Sequence, residues 1–145
     1  MKLSIGCDHG GFLLKEAIKK YLSDKGHIVY DCGCYSQERV DYPVYAGLVC
    51  KSIQEKKAEM GILICTTGVG MSIAANKYKG IRAALISNID ACEFSRRHND
   101  SNVLCLGAKY IKEKEAFAFA DEFLNTEFAG GRHARRLAMI DEIIR

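Results

Sequence analysis

Short apolar runs alternate along this chain with stretches whose apolar residues recur every three or four positions. The apolar runs predict five strands, at residues 3–7, 27–31, 61–65, 80–87 and 102–106. The helical spacing predicts helices over 12–25, from Pro43 to about 57, and over 69–76, 89–97, 112–125 and 131–144. Such β-α alternation predicts a parallel sheet with helices on both faces.

Two of these segments carry more information than the rest. The run from Gly61 to Cys65 is apolar without interruption, which is typical of a central parallel strand covered on both faces. The predicted helix 69–76 is apolar nearly all round, so it needs cover on more than one side. Ligands of parallel sheets bind at the carboxyl ends of the strands. That edge is predicted to carry Asp8-His9, Cys65 to Gly68, and Ser87.

Composition and charge exclude several classes of protein. The 145 residues are 48% hydrophobic and 27% charged, which suits one globular domain. A net charge of +3 without a long basic stripe argues against nucleic acid. The early residues turn polar too soon for a signal peptide, and no apolar run would span a membrane. The chain has seven cysteines, an odd number, and no predicted signal peptide, which together favour a reducing cytosol. Cys50, Cys92 and Cys105 are predicted to be core residues.

The loop after the third strand carries the first candidate chemistry. It reads Cys65-Thr66-Thr67-Gly68-Val69-Gly70 and leads into a helix, whose free N–H groups can bind an anion. A helix start also favours the thiolate form of a cysteine. A thiolate beside such a site could remove a proton alpha to a carbonyl, with the enediolate charge facing the N–H groups. The alternative is a buried cysteine before an ordinary glycine-rich turn.

Two histidine-containing segments have both a chemical and a structural interpretation. Asp8 and His9 could bind sugar hydroxyls or assist proton transfer, or Asp8 could simply cap the helix that follows. His98 and Asn99 end the helix after the fourth strand. His98 could be the acid–base group that opens a cyclic sugar, or it could be a favourable helix-terminal residue.

The basic segment near the C-terminus is a candidate phosphate site. Arg132 and Arg136 are four residues apart and therefore share a helix face, where two guanidinium groups match a phosphate. An arginine at a helix start opposes the helix dipole, which suggests that Arg132 has a function. The alternative is a solvated basic helix start, and that interpretation suits Arg135, which points elsewhere.

Two further motifs suggest cofactors but fit them poorly. Cys32-Gly33-Cys34 is too closely spaced for the usual zinc pattern and no matching pair follows it, so we expect no metal. Gly68-Val69-Gly70 lacks the third glycine of the dinucleotide fingerprint and follows the third strand instead of the first. We therefore expect no nicotinamide cofactor, and none of another kind.

Taken together, the motifs resemble those of the type B ribose-5-phosphate isomerases and the related galactose-6-phosphate isomerase subunits. The matching stretches run from one end of the chain to the other in family order. They are Gly6-Cys7-Asp8-His9-Gly10-Gly11, Asp41-Tyr42-Pro43, Gly61 to Cys65, Thr67 to Gly70, Ser72 to Lys77, Gly80 to Ala83, Arg97 to Asp100, Asn102 to Leu104, and Gly130 to His133 with Arg136.

The resemblance implies a Rossmann-like α/β/α fold in a homodimer or a dimer of dimers, with active sites shared between subunits and no metal. It implies interconversion of ribose 5-phosphate and ribulose 5-phosphate, with Cys65 as the base and His98 opening the furanose ring. The resemblance further implies that Asp8, His9 and Asn99 contact the sugar and that Arg132 and Arg136 bind its phosphate. It implies an anion hole for the enediolate at Thr66, Thr67, Gly68, Val69 and Gly70. Within that hole, the Thr67 hydroxyl is expected near the reacting oxygens.

Two positions depart from the family pattern. Thr66 stands where many relatives have glycine, so its Cβ is expected to reshape the pocket. Lys109 stands where relatives often carry a phosphate-binding arginine, so the charge is kept without the bidentate fork. The alternatives are a hexose 6-phosphate isomerase, for allose or galactose 6-phosphate, and a non-catalytic sugar-phosphate or nucleotide-binding module. The complete residue set favours a homodimer over a pair of unlike subunits.

Overall fold

The computed structural model, described here for residues 1–143, has a single parallel sheet as its centre. Its strands are β1 (Lys2–Cys7), β2 (Ile28–Asp31), β3 (Met60–Cys65), β4 (Ala83–Leu85) and β5 (Val103–Gly107). They lie in the order β2-β1-β3-β5-β4, and every pairing is parallel. This confirms the predicted α/β class with a five-stranded parallel sheet.

In residues 1–143, four α-helices connect the strands and two more follow β5. They are α1 (Phe12–Asp24), α2 (Tyr42–Gln54), α3 (Val69–Ala75), α4 (Ile89–Arg97), α5 (Glu113–Asn125) and α6 (Arg132–Asp141), and a 3-10 turn at His9–Gly11 precedes α1. The fourth strand is shorter than predicted at both ends, and its start is delayed because Gly80 adopts a left-handed turn, with φ of 79°. The predicted end of the last helix at residue 144 lies outside the described residues.

The two faces of the sheet carry separate layers of helix. On one face, α1, α4 and α5 pack over Ile62, Ile64 and Leu104 with the fully buried Phe123. On the other, α2 and α3 pack over alternate residues of the same strands, including Leu63. Burying one large apolar side chain stabilises the fold by about 1.5–3 kcal/mol. Burial on both faces explains the uninterrupted apolar run of β3.

The sheet has two edges that matter for the site. At the carboxyl edge the strands end, at Cys7 in β1, Cys65 in β3 and Gly107 in β5. At the amino edge the strands begin, and the four helices that connect consecutive strands reach their C-terminal ends, because each of them returns the chain from the end of one strand to the start of the next. Residues 1–143 contain no helix that is both long and apolar enough to cross a membrane.

Candidate active site

Cys65 is the last residue of β3 and is almost completely buried. Its Sγ accepts a hydrogen bond from the N–H of Gly68 at 3.1 Å, so the thiol points toward the loop that follows. Gly68 has a φ of 79°, and an added Cβ would lie 2.5 Å from Leu85 Cδ1. Only glycine therefore allows the chain to turn this closely over β5 and bring its N–H to the sulfur.

Some backbone N–H groups of this loop donate to protein atoms, and others remain for a ligand. The first four N–H groups of a helix lack intrahelical acceptors, which in α3 are those of residues 68 to 71. The N–H of Gly68 contacts Cys65, and the N–H of Val69 donates to Thr67 Oγ1 at 3.3 Å. That leaves the N–H groups of Gly70 and Met71 for a ligand, close to the thiol and to the Thr67 hydroxyl.

Asp8 and His9 stand beside this loop, at the end of β1. Asp8 is buried, and its Oδ1 accepts from the N–H of Gly10 at 2.9 Å, so the capping interpretation of Asp8 is confirmed. His9 Nδ1 accepts from the N–H of Val40 at 3.2 Å, which leaves the ring proton on Nε2. A Cβ on Gly10 would collide with Thr66 Oγ1, so the two loops are in direct contact.

Lys109 completes the group at the carboxyl edge. It follows β5, and its backbone N–H donates to the carbonyl of Thr66 at 2.9 Å, while its side chain is exposed. A cavity of about 170 Å³ opens at this edge between Thr67, Val69 and Tyr110. Most of the predicted site residues thus lie together at this edge. We call them the carboxyl-edge cluster: Asp8, His9, Cys65, Thr66 to Gly70, and Lys109.

The remaining predicted residues form a second group at the amino edge. His98 is the C-cap of α4, and its ring stacks on that of His133 in α6, with centroids 4.2 Å apart. Asn99 is exposed, and its carbonyl accepts from Arg82 Nε at 3.2 Å. Arg132 and Arg136 are exposed on the first two turns of α6. We call His98, Asn99, Arg132 and Arg136 the amino-edge cluster.

The two clusters are not brought together within one chain. Cys65 is four residues beyond Gly61 along β3, a distance of about 13 Å at ~3.3 Å per residue. The N–H of Gly61 donates to the carbonyl of Asn102 at the amino edge, where the turn from His98 leads into β5. The sheet therefore separates the thiol from the histidine and arginines that were predicted to act with it.

The structure adds one residue that was not predicted to belong to the site. Tyr42, the first residue of α2, packs its ring so close to Gly70 that an added Cβ would lie 2.7 Å from a ring carbon. The signal available in the sequence was an aromatic residue directly before Pro43 at a helix start. Tyr42 therefore covers the loop that follows Cys65 from the side of α2.

The motif Cys32-Gly33-Cys34 follows β2, pairs with the end of β1 through two backbone hydrogen bonds with Cys7, and is part of the packing under α1. The carbonyl of Cys34 accepts from Lys15 Nζ at 2.7 Å, and its Sγ lies 3.8 Å from that of Cys7. All seven cysteines are free thiols. In the described part of the chain, no group of three or more His, Cys, Asp or Glu side chains has an arrangement suited to a metal ion.

Comparisons with known proteins agree with this architecture. Residues 3–140 match the model of the ribose/galactose isomerase family. The ribose-5-phosphate isomerase B of Escherichia coli K12 is 44% identical over 142 residues, 98% of this chain and 95% of that one. The Thermotoga maritima ribose 5-phosphate isomerase structure is 52% identical with a TM-score of 0.96, covering 97% of each chain. The Mycoplasma genitalium ribose-5-phosphate isomerase B, solved with bound ribulose-5-phosphate, is 39% identical with a TM-score of 0.94, covering 98% of this chain and 95% of its own. The chain is therefore an isomerase and belongs to the ribose/galactose isomerase family.

Proposed function

We propose that this chain interconverts D-ribose 5-phosphate and D-ribulose 5-phosphate through an enediolate. The observation that carries the proposal is the position of Cys65, whose sulfur faces the N–H groups at the start of α3. The E. coli relative bears this activity in its name, and the M. genitalium relative binds the proposed ketose product. A thiol beside unused N–H donors suits a reaction in which a proton leaves carbon and charge develops on oxygen.

The proposed reaction moves one proton between neighbouring carbons. Cys65, as the thiolate, removes the proton from C2 of the open-chain aldose. The C–H electron pair forms the C1–C2 double bond, and the carbonyl pair moves to O1, where its charge faces the loop N–H groups. The hydroxyl proton on O2 passes to O1, the O2 electron pair forms the C2 carbonyl, and the electron pair of the C1–C2 double bond takes the proton from the thiol at C1. These transfers give the ketose and regenerate the thiolate. The Thr67 hydroxyl is proposed to hydrogen-bond the reacting oxygens, and no metal or cofactor is required.

The substrate is proposed to span the two clusters of two different subunits. Within one subunit the sheet separates them, whereas a pentose phosphate has only a few carbons between the reacting carbon and the phosphate. We propose that Asp8, His9 and Lys109 of one subunit face Asn99, Arg132 and Arg136 of a second copy. The second copy also supplies His98 for ring opening. The exposed apolar side chains of Val69 and Ile73 on α3, and of Met139 and Ile140 on α6, support such contacts.

A substrate panel tests the proposal. Purified protein is assayed with ribose 5-phosphate, allose 6-phosphate and galactose 6-phosphate, with Cys65→Ala as the matched variant. We expect the highest kcat/KM for ribose 5-phosphate, and a loss of about 10²–10⁴-fold in Cys65→Ala, because the base is removed. Higher kcat/KM for a hexose phosphate would favour the hexose isomerase instead. Binding without turnover of any sugar would favour a binding module.

A further inference from the structure

His98 has an unusual environment for a histidine that is proposed to transfer protons. Such a ring is generally oriented by a hydrogen bond from one nitrogen to a carbonyl or a carboxylate. Within residues 1–143, no backbone or side-chain group makes a hydrogen bond to the His98 ring. The nearest carboxylate along the chain, Asp100, is already paired with Arg82 at 3.2 Å and with Arg96 at 2.9 Å.

Aromatic contacts take the place of that hydrogen bond. The His133 ring lies flat on the His98 ring, with centroids 4.2 Å apart and planes only 13° apart. The ring of Phe94, one turn earlier on α4, contacts His98 at 4.8 Å with a tilt of 40°. Rotation about the outer torsion of a histidine is otherwise broad and nearly two-fold. A flat partner limits this rotation, because a turned His98 ring would lose the stacked contact.

We propose that His133 is a positioning residue, whose stacked ring holds the His98 imidazole in the orientation required to open the sugar ring. The inference rests on the proposed function only for the role that it gives to His98. The stack itself joins α4 to α6, and the segment that leads into α6 is also tied to α4 by the hydrogen bond from the N–H of Ala129 to the carbonyl of Arg97 at 2.9 Å. His133 needs no contact with the substrate for this role.

The charges around His133 favour the neutral form of its ring. Partial burial lowers the pKa of His133, and the charges of His98 on α4 and of Arg132 and Arg136 on its own helix lower it further. His133 is therefore neutral at neutral pH and above, and it becomes protonated only as the pH falls through its lowered value. A neutral ring can stack on a protonated His98 without repulsion, whereas two stacked cations could not.

Kinetics of two His133 variants test the positioning role. His133→Ala removes the ring, and His133→Phe keeps a flat ring without nitrogen atoms. Single-turnover rates are measured from ribose 5-phosphate, which is mostly cyclic, and from ribulose 5-phosphate, which is open-chain because its 5-hydroxyl carries the phosphate. We expect His133→Ala to slow the reaction from the cyclic sugar by about 10- to 100-fold and to affect the open-chain sugar little. His133→Phe should recover most of the rate.

Arg135→Ala serves as the matched control on the same helix. Arg135 is exposed and contacts Met139, so its removal perturbs α6 without touching the stack. We expect wild-type rates from both sugars in this variant. If His133→Phe is as slow as His133→Ala, the nitrogen atoms of His133 matter and the positioning role is wrong. Equal losses from the cyclic and the open-chain sugar would also overturn it, because positioning of His98 concerns ring opening alone.

A measurement without substrate separates this inference from the proposed function. The ring protons of His133 are titrated by NMR in the wild type and in His98→Phe, which keeps an aromatic neighbour and removes its charge. We expect the His133 midpoint to lie below that of an ordinary histidine and to rise in His98→Phe. An unchanged midpoint would mean that the rings do not stack in solution. This readout stands even if the protein isomerises no pentose phosphate.

Discussion

At the scale of single residues, the cysteines divide by their surroundings. Cys7, Cys50 and Cys92 have no exposed surface, and burial raises the pKa of each thiol to about 12. Cys105, fully buried in β5, has its pKa raised still further by the same cause. The sequence predicted Cys50, Cys92 and Cys105 as core residues, and the structure confirms all three. Cys65 alone is proposed to react, since its sulfur faces the loop that follows β3.

This difference predicts selective alkylation. With iodoacetamide at neutral pH, we expect Cys65 to be modified first, because a thiol with a pKa of about 12 is almost never a thiolate. Ribose 5-phosphate should protect Cys65. Mass spectrometry of the tryptic peptides measures the rate at each position. The partly exposed Cys32 is the internal control, and its rate should not change with the sugar. Ligand-insensitive labelling of Cys65 would contradict its place in the site.

At the scale of the secondary-structure elements, one buried ion pair ties α1 to the end of β2. Lys15 in α1 is fully buried, and its Nζ lies 2.7 Å from Asp31 Oδ1 and 2.7 Å from the carbonyl of Cys34. Burial alone would raise the pKa of Asp31, but the hydrogen bonds from Lys15 and Lys19 outweigh it and lower the pKa. Asp31 therefore stabilises the fold above its unfolded-state pKa, and that contribution is lost as the pH falls through the lowered value.

Breaking this pair is expected to destabilise the protein. Lys15→Met leaves Asp31 without its buried donor, so the free energy of unfolding should fall by about 3 kcal/mol at neutral pH. Lys19, 2.8 Å from Asp31 Oδ2, keeps the loss from being larger. The loss of stability on acidification should also be smaller than in the wild type. Urea unfolding at several pH values from neutral to acidic measures both effects.

Lys20→Met is the control for the previous substitution on the same helix. Lys20 is exposed and pairs with Asp24 at 2.8 Å, one turn away, so its loss should destabilise the protein much less than the loss of Lys15. Equal destabilisation by the two variants would mean that the buried pair contributes no more than a surface pair. Because neither lysine belongs to the proposed site, kcat should be unchanged in both variants.

At the scale of the whole molecule, two helices lack cover. Within α6, Leu137 is buried, whereas Met139 and Ile140 are 55% and 45% exposed. On α3, Ile73 is 59% exposed, which agrees with the expectation that this helix needs cover from more than its own sheet. Short helices obtain most of their stability from packing. We therefore expect a second copy of the chain to cover these surfaces.

Complementation between two inactive variants tests the shared site. Cys65→Ala removes the base, and Arg132→Ala/Arg136→Ala removes the proposed phosphate ligands from the other cluster. After subunit exchange, each heterodimer would hold one intact site and one with both defects. With random pairing, half of the dimers are mixed, so activity should recover to roughly one quarter of the wild type. Each variant measured alone provides the baseline. No recovery after verified exchange would mean that each chain carries its own complete site.

The strands and helices, and the chemistry available to single side chains, could be predicted from the sequence. The alternation of strand and helix follows from hydrophobic periodicity, which is a local property of the chain. Three other features could be predicted because each is also a local property of a short segment. They are the turn at Gly68, the cap at Asp8 and the uninterrupted apolar run of β3. Boundaries shifted where local backbone geometry intervened, as at Gly80 before β4 and at Lys56 after α2, both in left-handed conformations.

The tertiary structure decided where those residues lie relative to one another. The order β2-β1-β3-β5-β4 places β5 between β3 and β4, and no local pattern specifies this arrangement because strand order depends on contacts between distant segments. The same topology puts Cys65 at one edge of the sheet and His98 at the other. The stack of His133 on His98 also appears only in three dimensions, because it joins two helices that are separated by β5 and α5 along the chain.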